Sequence, residues 1–161
     1  MKKLSKIVAL LLAGALTMLL FTACGGGGGS PTEEQKVLAQ ISKEKGVQVT
    51  NDAELRAVAE RNLNKDHEEL DAQFKILGYA GAFKFHTDPL GDDLVITITA
   101  RYNYTDTHLS YVLKRISEYV DTDHKVTVNQ NGDWSNIGVV VQSNNEQSYI
   151  GISVRIKNIY K

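Results

Sequence analysis

Residues 33–161 predict an α+β domain, an α-β-α sandwich with helices layered on a small antiparallel sheet. Three observations point to it. Apolar side chains recur at steps of three and four through 33–45, 51–77 and 106–120, the period of a helix with one buried face. They alternate through 94–101 and 149–156, the period of a strand. The order helix, helix, strand, helix, strand, strand then mixes both kinds in one stretch of single-domain size.

The first helix, 33–45, opens on Glu33-Glu34, carries Val37, Leu38 and Ile41 on one side, and ends at Lys45 before Gly46. Acids in the first turn and bases in the last suit the helix dipole. Val47–Val49 reads as a brief extended piece. Asn51, with Glu54 three residues on, reads as the capping box of a second helix. Its stripe is Leu55, Val58, Ala59, Leu63, Leu70, Phe74 and Leu77, and Gly78 with Gly81 ends it. The polar gap at Asn64–Asp66 marks either a kink or a break. Residues 79–93, with Pro89 and Gly91-Asp92, read as a loop.

Next comes a strand over Leu94–Arg101, with Leu94, Ile96, Ile98 and Ala100 on one face. Asp106 caps a third helix bearing Leu109, Val112, Leu113, Ile116 and Val120. Trp134–Val141 and Tyr149–Ile156 form strands around an Asn144-Asn145 turn. Ile150, Ile152, Val154 and Ile156 are expected to point inward, and Ser153, Arg155 and Lys157 outward.

In front of this domain lies a different composition. Lys2, Lys3 and Lys6 precede the uncharged residues 7–23, which are followed by the chain's single cysteine, Cys24, and a glycine run at 25–29. A basic flank, an apolar stretch shorter than a typical span and small residues at Thr22-Ala23 describe a secretory signal over 1–23. Its end resembles a bacterial lipoprotein signal, with Phe21 where leucine is usual. That resemblance implies lipidation of Cys24 and an extracytoplasmic, membrane-anchored protein. Residues 24–32 would then be the lipidated cysteine and its tether. Eight Gly-rich residues reach about 15 Å, by a scaling of roughly 5–6 Å times √n.

Charge narrows the partners. The whole chain has 161 residues, 18 Lys+Arg and 19 Asp+Glu, a net of −1. Losing Lys2, Lys3 and Lys6 with the leader takes 18 basic side chains to 15 against 19 acidic ones, a net of −4. Such a domain has neither a nucleic-acid footprint nor an electrostatic pull toward anionic lipid. One cysteine excludes an internal disulfide and a Cys-rich zinc site.

The candidate chemistry is sparse. His124 stands beside Asp121 and Asp123, carboxylates that favour imidazolium or could share a cation such as Zn²⁺. His86 lies in the stretch read as a loop, where it could face a cleft with His124. His67 falls on or beside the apolar stripe, and His108 at an exposed helix start. Tyr102 and Tyr104 share a strand face and with Trp134 could line a shallow aromatic groove. Glu68, Glu69 and Asp71 read as a solvated surface. No Gly-x-Ser-x-Gly elbow or phosphate-cradling loop is present in the sequence.

The order of elements and their local sequence resemble the CAP superfamily (cysteine-rich secretory proteins, antigen five, pathogenesis-related proteins). Val37–Gly46 resembles the opening helix of that family, and Val49–Leu55 with Ala57, Ala59 and Leu63 the next segment. Asp121-Thr122-Asp123-His124 looks like its Ser-Pro-Gly-His turn, and Ile137-Gly138-Val139-Val140-Val141 like its Ile-Gly-Val-Gly-Val strand. Together these span residues 36–158. The resemblance implies a cleft of two histidines and two acids that can hold a divalent metal. Here only His124 matches. Ala100–Tyr104 lacks the expected acid, Ser42 replaces a common asparagine, and neither His67 nor His86 occupies the other histidine position. The reading that follows is a non-catalytic binding or cell-envelope interaction module, taking a peptide, glycan or lipid ligand. Two alternatives stand beside it: a metal-assisted hydrolase using His124 with His86 or His67, and an unrelated α+β accessory lipoprotein.

Overall fold

A computed structural model describes residues 32–144 and 146–157. The signal, Cys24, the tether through residue 31, Asn145 and residues 158–161 lie outside the described residues.

The expected α+β character holds, and the sheet is larger than expected. Helix α1 (Glu33–Lys45) is capped by Thr32, whose hydroxyl accepts from the Gln35 amide while the Gln35 side chain accepts from the Thr32 amide. Gly46 ends it at φ 67°, where a Cβ would be strained. Strand β1 (Thr50–Asn51) follows, later than the extended piece at 47–49. Asn51 is no helix cap. Its side-chain amide accepts from Val139 N and donates to Val139 O, so it stitches β1 to a neighbouring strand. Asp52 caps helix α2 (Ala53–Leu77) instead, accepting from Glu54 N and Leu55 N.

Helix α2 runs unbroken through Asn64–Asp66. The polar gap is neither kink nor break, because Asp66 is buried against polar partners on the sheet. Leu77, expected in the stripe, lies past the edge of the sheet and is 59% exposed.

The stretch read as a loop contains strand β2 (Phe83–Leu90), paired antiparallel with β3 (Asp93–Tyr102) through a turn at Gly91-Asp92. Pro89 disguised it. Because β2 is an edge strand, a residue without an N–H is tolerated there. Helix α3 (Asp106–Glu118) is capped by the Thr105 hydroxyl rather than by Asp106. It stops before Val120, which belongs to a small hairpin of β4 (Val120–Asp121) and β5 (Val126–Thr127) and is exposed. One turn of helix, α4 (Val128–Asn131), leads into β6 (Gly132–Ser143) and β7 (Ser148–Ile156).

The main sheet has the order β1-β6-β7-β3-β2. It is mixed, since β1 runs parallel to β6 while the other pairs are antiparallel. Helices cover both faces. Leu94, Ile96, Ile98, Ile150, Ile152 and Val154 pack with α1 and α3 in the main core. Val95, Val140, Tyr149 and the stripe of α2 form the other side. Ser153 therefore does not face solvent. It is fully buried beneath α2 and shares a 2.7 Å hydrogen bond with Thr97. Helix α2 approaches β6 so closely that a Cβ on Gly138 would meet the Leu55 carbonyl carbon at 2.1 Å. Only glycine fits there.

Candidate functional site

The second face of the sheet gathers most of the polar chemistry. Asn62 and Asp66, four residues apart, share the side of α2 turned toward β2 and β3. Asp66 is 2% exposed. One of its carboxylate oxygens accepts from the Thr99 hydroxyl at 2.5 Å and meets His86 Nε2 at 2.6 Å. The other lies 3.3 Å from Lys84 Nζ. Burial pushes the Asp66 pKa up, but Thr99, His86 and Lys84 outweigh it and hold the carboxyl below its ordinary range. Lys84 also donates to Glu69, and Asn62 donates to Asp88.

Farther along α2, Asp71 turns inward and forms a second group. It accepts from the Tyr149 hydroxyl at 2.9 Å, from Arg101 at 2.5 Å and from the Gln147 amide at 2.9 Å. Arg101, buried on β3, lies 4.4 Å over the Phe74 ring and also donates to Gln147. Burial first, then the Asp71 carboxylate, raises the Tyr149 pKa. The expectation of a solvated acidic surface at 68–71 fits Glu68, which is exposed, but not Asp71.

His67 stacks on Tyr149 with ring centroids 4.3 Å apart. Its Nε2 is buried and meets no hydrogen-bond partner. These two rings, with Gln142, Ser143 and Asn144 at the end of β6, line an open depression of about 350 Å³. His67 is thus a pocket wall as well as an edge of the core.

The remaining candidates go elsewhere. His124 Nδ1 lies 2.9 Å from Asp121, whose carboxylate also accepts from the Asp123 and His124 amides. Asp123 contributes its backbone rather than a second carboxylate. Burial raises the Asp121 pKa, and these His124 and Asp123 contacts outweigh it, leaving the group low. The β4–β5 hairpin packs through Val126 into the core on the α1 and α3 side, whereas His86 pairs with Asp66 of α2 on the other. The sheet separates His86 from His124, so they do not share a cleft. Nor do three His, Cys, Asp or Glu side chains converge among the described residues. The residues present do not fit the divalent-metal cleft that the CAP resemblance implies.

Of the expected aromatic groove, Tyr102 and Tyr104 keep their rings 5.0 Å apart, but Trp134 does not join them. Trp134 sits at the Leu94–Ile156 end of the sheet under Lys45, whose Nζ is 3.8 Å from the ring centroid. Tyr102 lies at the opposite end, paired with Ser148. It is buried, which pushes its hydroxyl up to about 12. Tyr104 is past the strand end at φ 60°, exposed, and hydrogen-bonds Ser143. His108 is not solvent-facing. It is 6% exposed among Tyr79, Tyr102 and Tyr111, and burial lowers its pKa.

Sequence reasoning missed Asp66, Asp71, Arg101 and Tyr149. A signal existed in Thr97, Thr99 and Arg101, the polar alternate set of a strand whose other face is apolar. No family model, curated protein or solved structure matches this chain.

Proposed function

We propose that the chain is a membrane-anchored extracytoplasmic lipoprotein whose domain is a non-catalytic binding module of the cell envelope, built on a CAP-like α-β-α plan. One observation carries the anchoring. The single cysteine falls between the uncharged stretch 7–23 and a glycine run, and only residues 30–32 separate that run from helix α1. Two or more acyl chains on Cys24 would anchor the protein stably. Helices on both faces of the sheet and a histidine turn after α3 support the CAP-like plan.

The depression beside His67 is the proposed binding site. Its lining offers the amides of Gln142 and Asn144, the Ser143 hydroxyl and two stacked rings, without an Asp, Glu, Lys or Arg side chain. That chemistry suits a neutral, hydroxyl-rich ligand, and among peptide, glycan and lipid it favours a glycan.

The anchor is tested by fractionation: Cys24→Ala should release the protein from membranes, and persistent detergent-only extraction refutes lipidation. The site is tested by calorimetric titration of the detergent-solubilised full chain with soluble envelope oligosaccharides. Binding weakened at least tenfold by Gln142→Ala with His67→Ala supports it, and binding indifferent to both refutes it. Stoichiometric Zn²⁺ binding lost in His124→Ala would overturn the non-catalytic reading.

A further inference from the structure

Several elements end together at one pole of the domain. Strand β3 finishes there at Tyr102, which pairs with Ser148, which in turn pairs with Ser143 across the β6–β7 turn. Helix α1 starts there, since the Glu34 carboxylate accepts from the Val141 amide near the end of β6. Its far end, at Lys45, reaches Trp134 near the start of β6. Helix α2 runs toward the same pole. Leu55 lies over Gly138, Asn64 receives a hydrogen bond from Gln142, and Asp71 and Phe74 meet Arg101. Beyond Phe74 the helix overhangs the sheet.

On that overhang stand the two most exposed large apolar side chains among the described residues, Ile76 at 82% and Leu77 at 59%. Exposed Tyr104 lies at the same pole, bonded to Ser143. Exposed charge around it is of mixed sign, with Lys75, Asp106 and Glu146. Among the described residues, the exposed large apolar side chains of the opposite pole are separated valines, Val47 after α1 and Val120 after α3. Adjacent aliphatic residues and a tyrosine with an accessible ring suit the boundary between headgroups and acyl chains, where amphipathic aromatics concentrate.

The chain itself names the occupant. The domain begins at this pole, and only residues 25–32 separate it from Cys24, a reach of about 15 Å by Gly-rich scaling. A short tether holds the pole at high effective concentration beside the bilayer, so even weak contacts are populated. We propose that this pole, through Ile76, Leu77 and Tyr104, docks on the surface of the membrane to which the protein is anchored. The inference rests on the lipoprotein reading. It also places the mouth beside His67 next to the bilayer, so a ligand would reach it along the membrane surface.

The test uses the full, lipidated chain reconstituted in phosphatidylethanolamine–phosphatidylglycerol vesicles. With Cys24 acylated, single Ile76→Cys, Tyr104→Cys, Asp93→Cys and Val120→Cys variants take an environment-sensitive fluorophore at one site each. Probes at 76 and 104 should shift to the blue and lose at least half their intensity to bromine-labelled lipid. Probes at 93 and 120, at the far pole, should do neither. Combining Ile76→Glu and Leu77→Glu should remove the quenching at 104, and circular dichroism checks that the fold persists. Equal quenching at both poles, or none at 76 in protein that floats with vesicles, overturns the orientation alone. Failure of the unsubstituted protein to float overturns the lipoprotein reading, and this proposal with it.

Discussion

On the face covered by α1 and α3, strands β3 and β7 present Ile96, Ile98, Ile150, Ile152 and Val154, all fully buried. On the face covered by α2 the same strands present Thr97, Thr99, Arg101, Tyr149 and Ser153, all buried, with Arg101 and Tyr149 slightly exposed. Both faces are buried, yet one is held chiefly by apolar packing while the other combines the apolar stripe of α2 with hydrogen-bonded polar groups. The difference separates two jobs. The apolar face gives non-directional stability, while the polar face fixes side chains whose geometry depends on one another. The proposed binding depression lies at the edge of the polar one.

The apolar face should give the largest response to truncation. Ile152→Ala removes a fully buried side chain at the centre of the main core and should cost about 2–5 kcal/mol. A urea midpoint lowered to match, with an unchanged slope, checks it. On the polar face Asp66→Asn keeps the shape but removes the charge that His86, Thr99 and Lys84 surround. About 1–3 kcal/mol is expected, from a hydrogen-bond network left mispaired. If Asp66→Asn cost more than Ile152→Ala, the division of labour between the faces would be reversed.

Acid should separate the faces along a second axis. His108, on the α1 and α3 side, has its pKa lowered by burial, so the unfolded chain protonates first as pH falls. Stability from His108 is present above its unfolded pKa of about 6.5 and is lost below that, at up to about 1.4 kcal/mol per pH unit. Asp66 has a lowered pKa as an acid. Its stability is present above about 4, its unfolded pKa, and is lost as pH falls further through the folded value. Thermal melts from pH 7.5 to 3 should therefore weaken in two stages, and His108→Phe should flatten the upper one. An unchanged upper stage in that variant would refute the assignment to His108.

The same contrast explains what could be read in the sequence. Ile150, Ile152, Val154 and Ile156 announce an inward face by alternation alone, and Val37, Leu38 and Ile41 announce a helix in the same way. That signal needs only one residue type at one period. The α2 face announces its apolar stripe but not its polar contacts, because Asp66 and Thr99 look like surface residues until a helix and a strand are placed together. Strand β2 was hidden for a similar reason, since Pro89 and the Gly91-Asp92 turn resemble a loop unless the strand is known to be an edge. His86 followed it into the wrong category. Its partner Asp66 lay in the segment read as a helix interruption, so neither residue pointed to the other.

His67 should give the smallest effect on stability, and for that reason it tests the site most directly. Its ring stacks on Tyr149, a contact worth about 0.5–1.5 kcal/mol between aromatic side chains. Its buried Nε2 has no partner, so truncation loses no hydrogen bond there and relieves a desolvated polar atom. The two effects oppose, and His67→Ala should change unfolding free energy by less than about 1 kcal/mol. Tyr149→Phe, by contrast, leaves Asp71 short of a donor it now holds at 2.9 Å and should cost about 1 kcal/mol or more. His67 belongs to the wall of the depression through the ring it stacks on Tyr149, while its Nε2 is itself buried. Should His67→Ala prove as destabilising as Ile152→Ala in the same urea titration, His67 would be a packing residue, and the depression would lose its best reason to be a binding site.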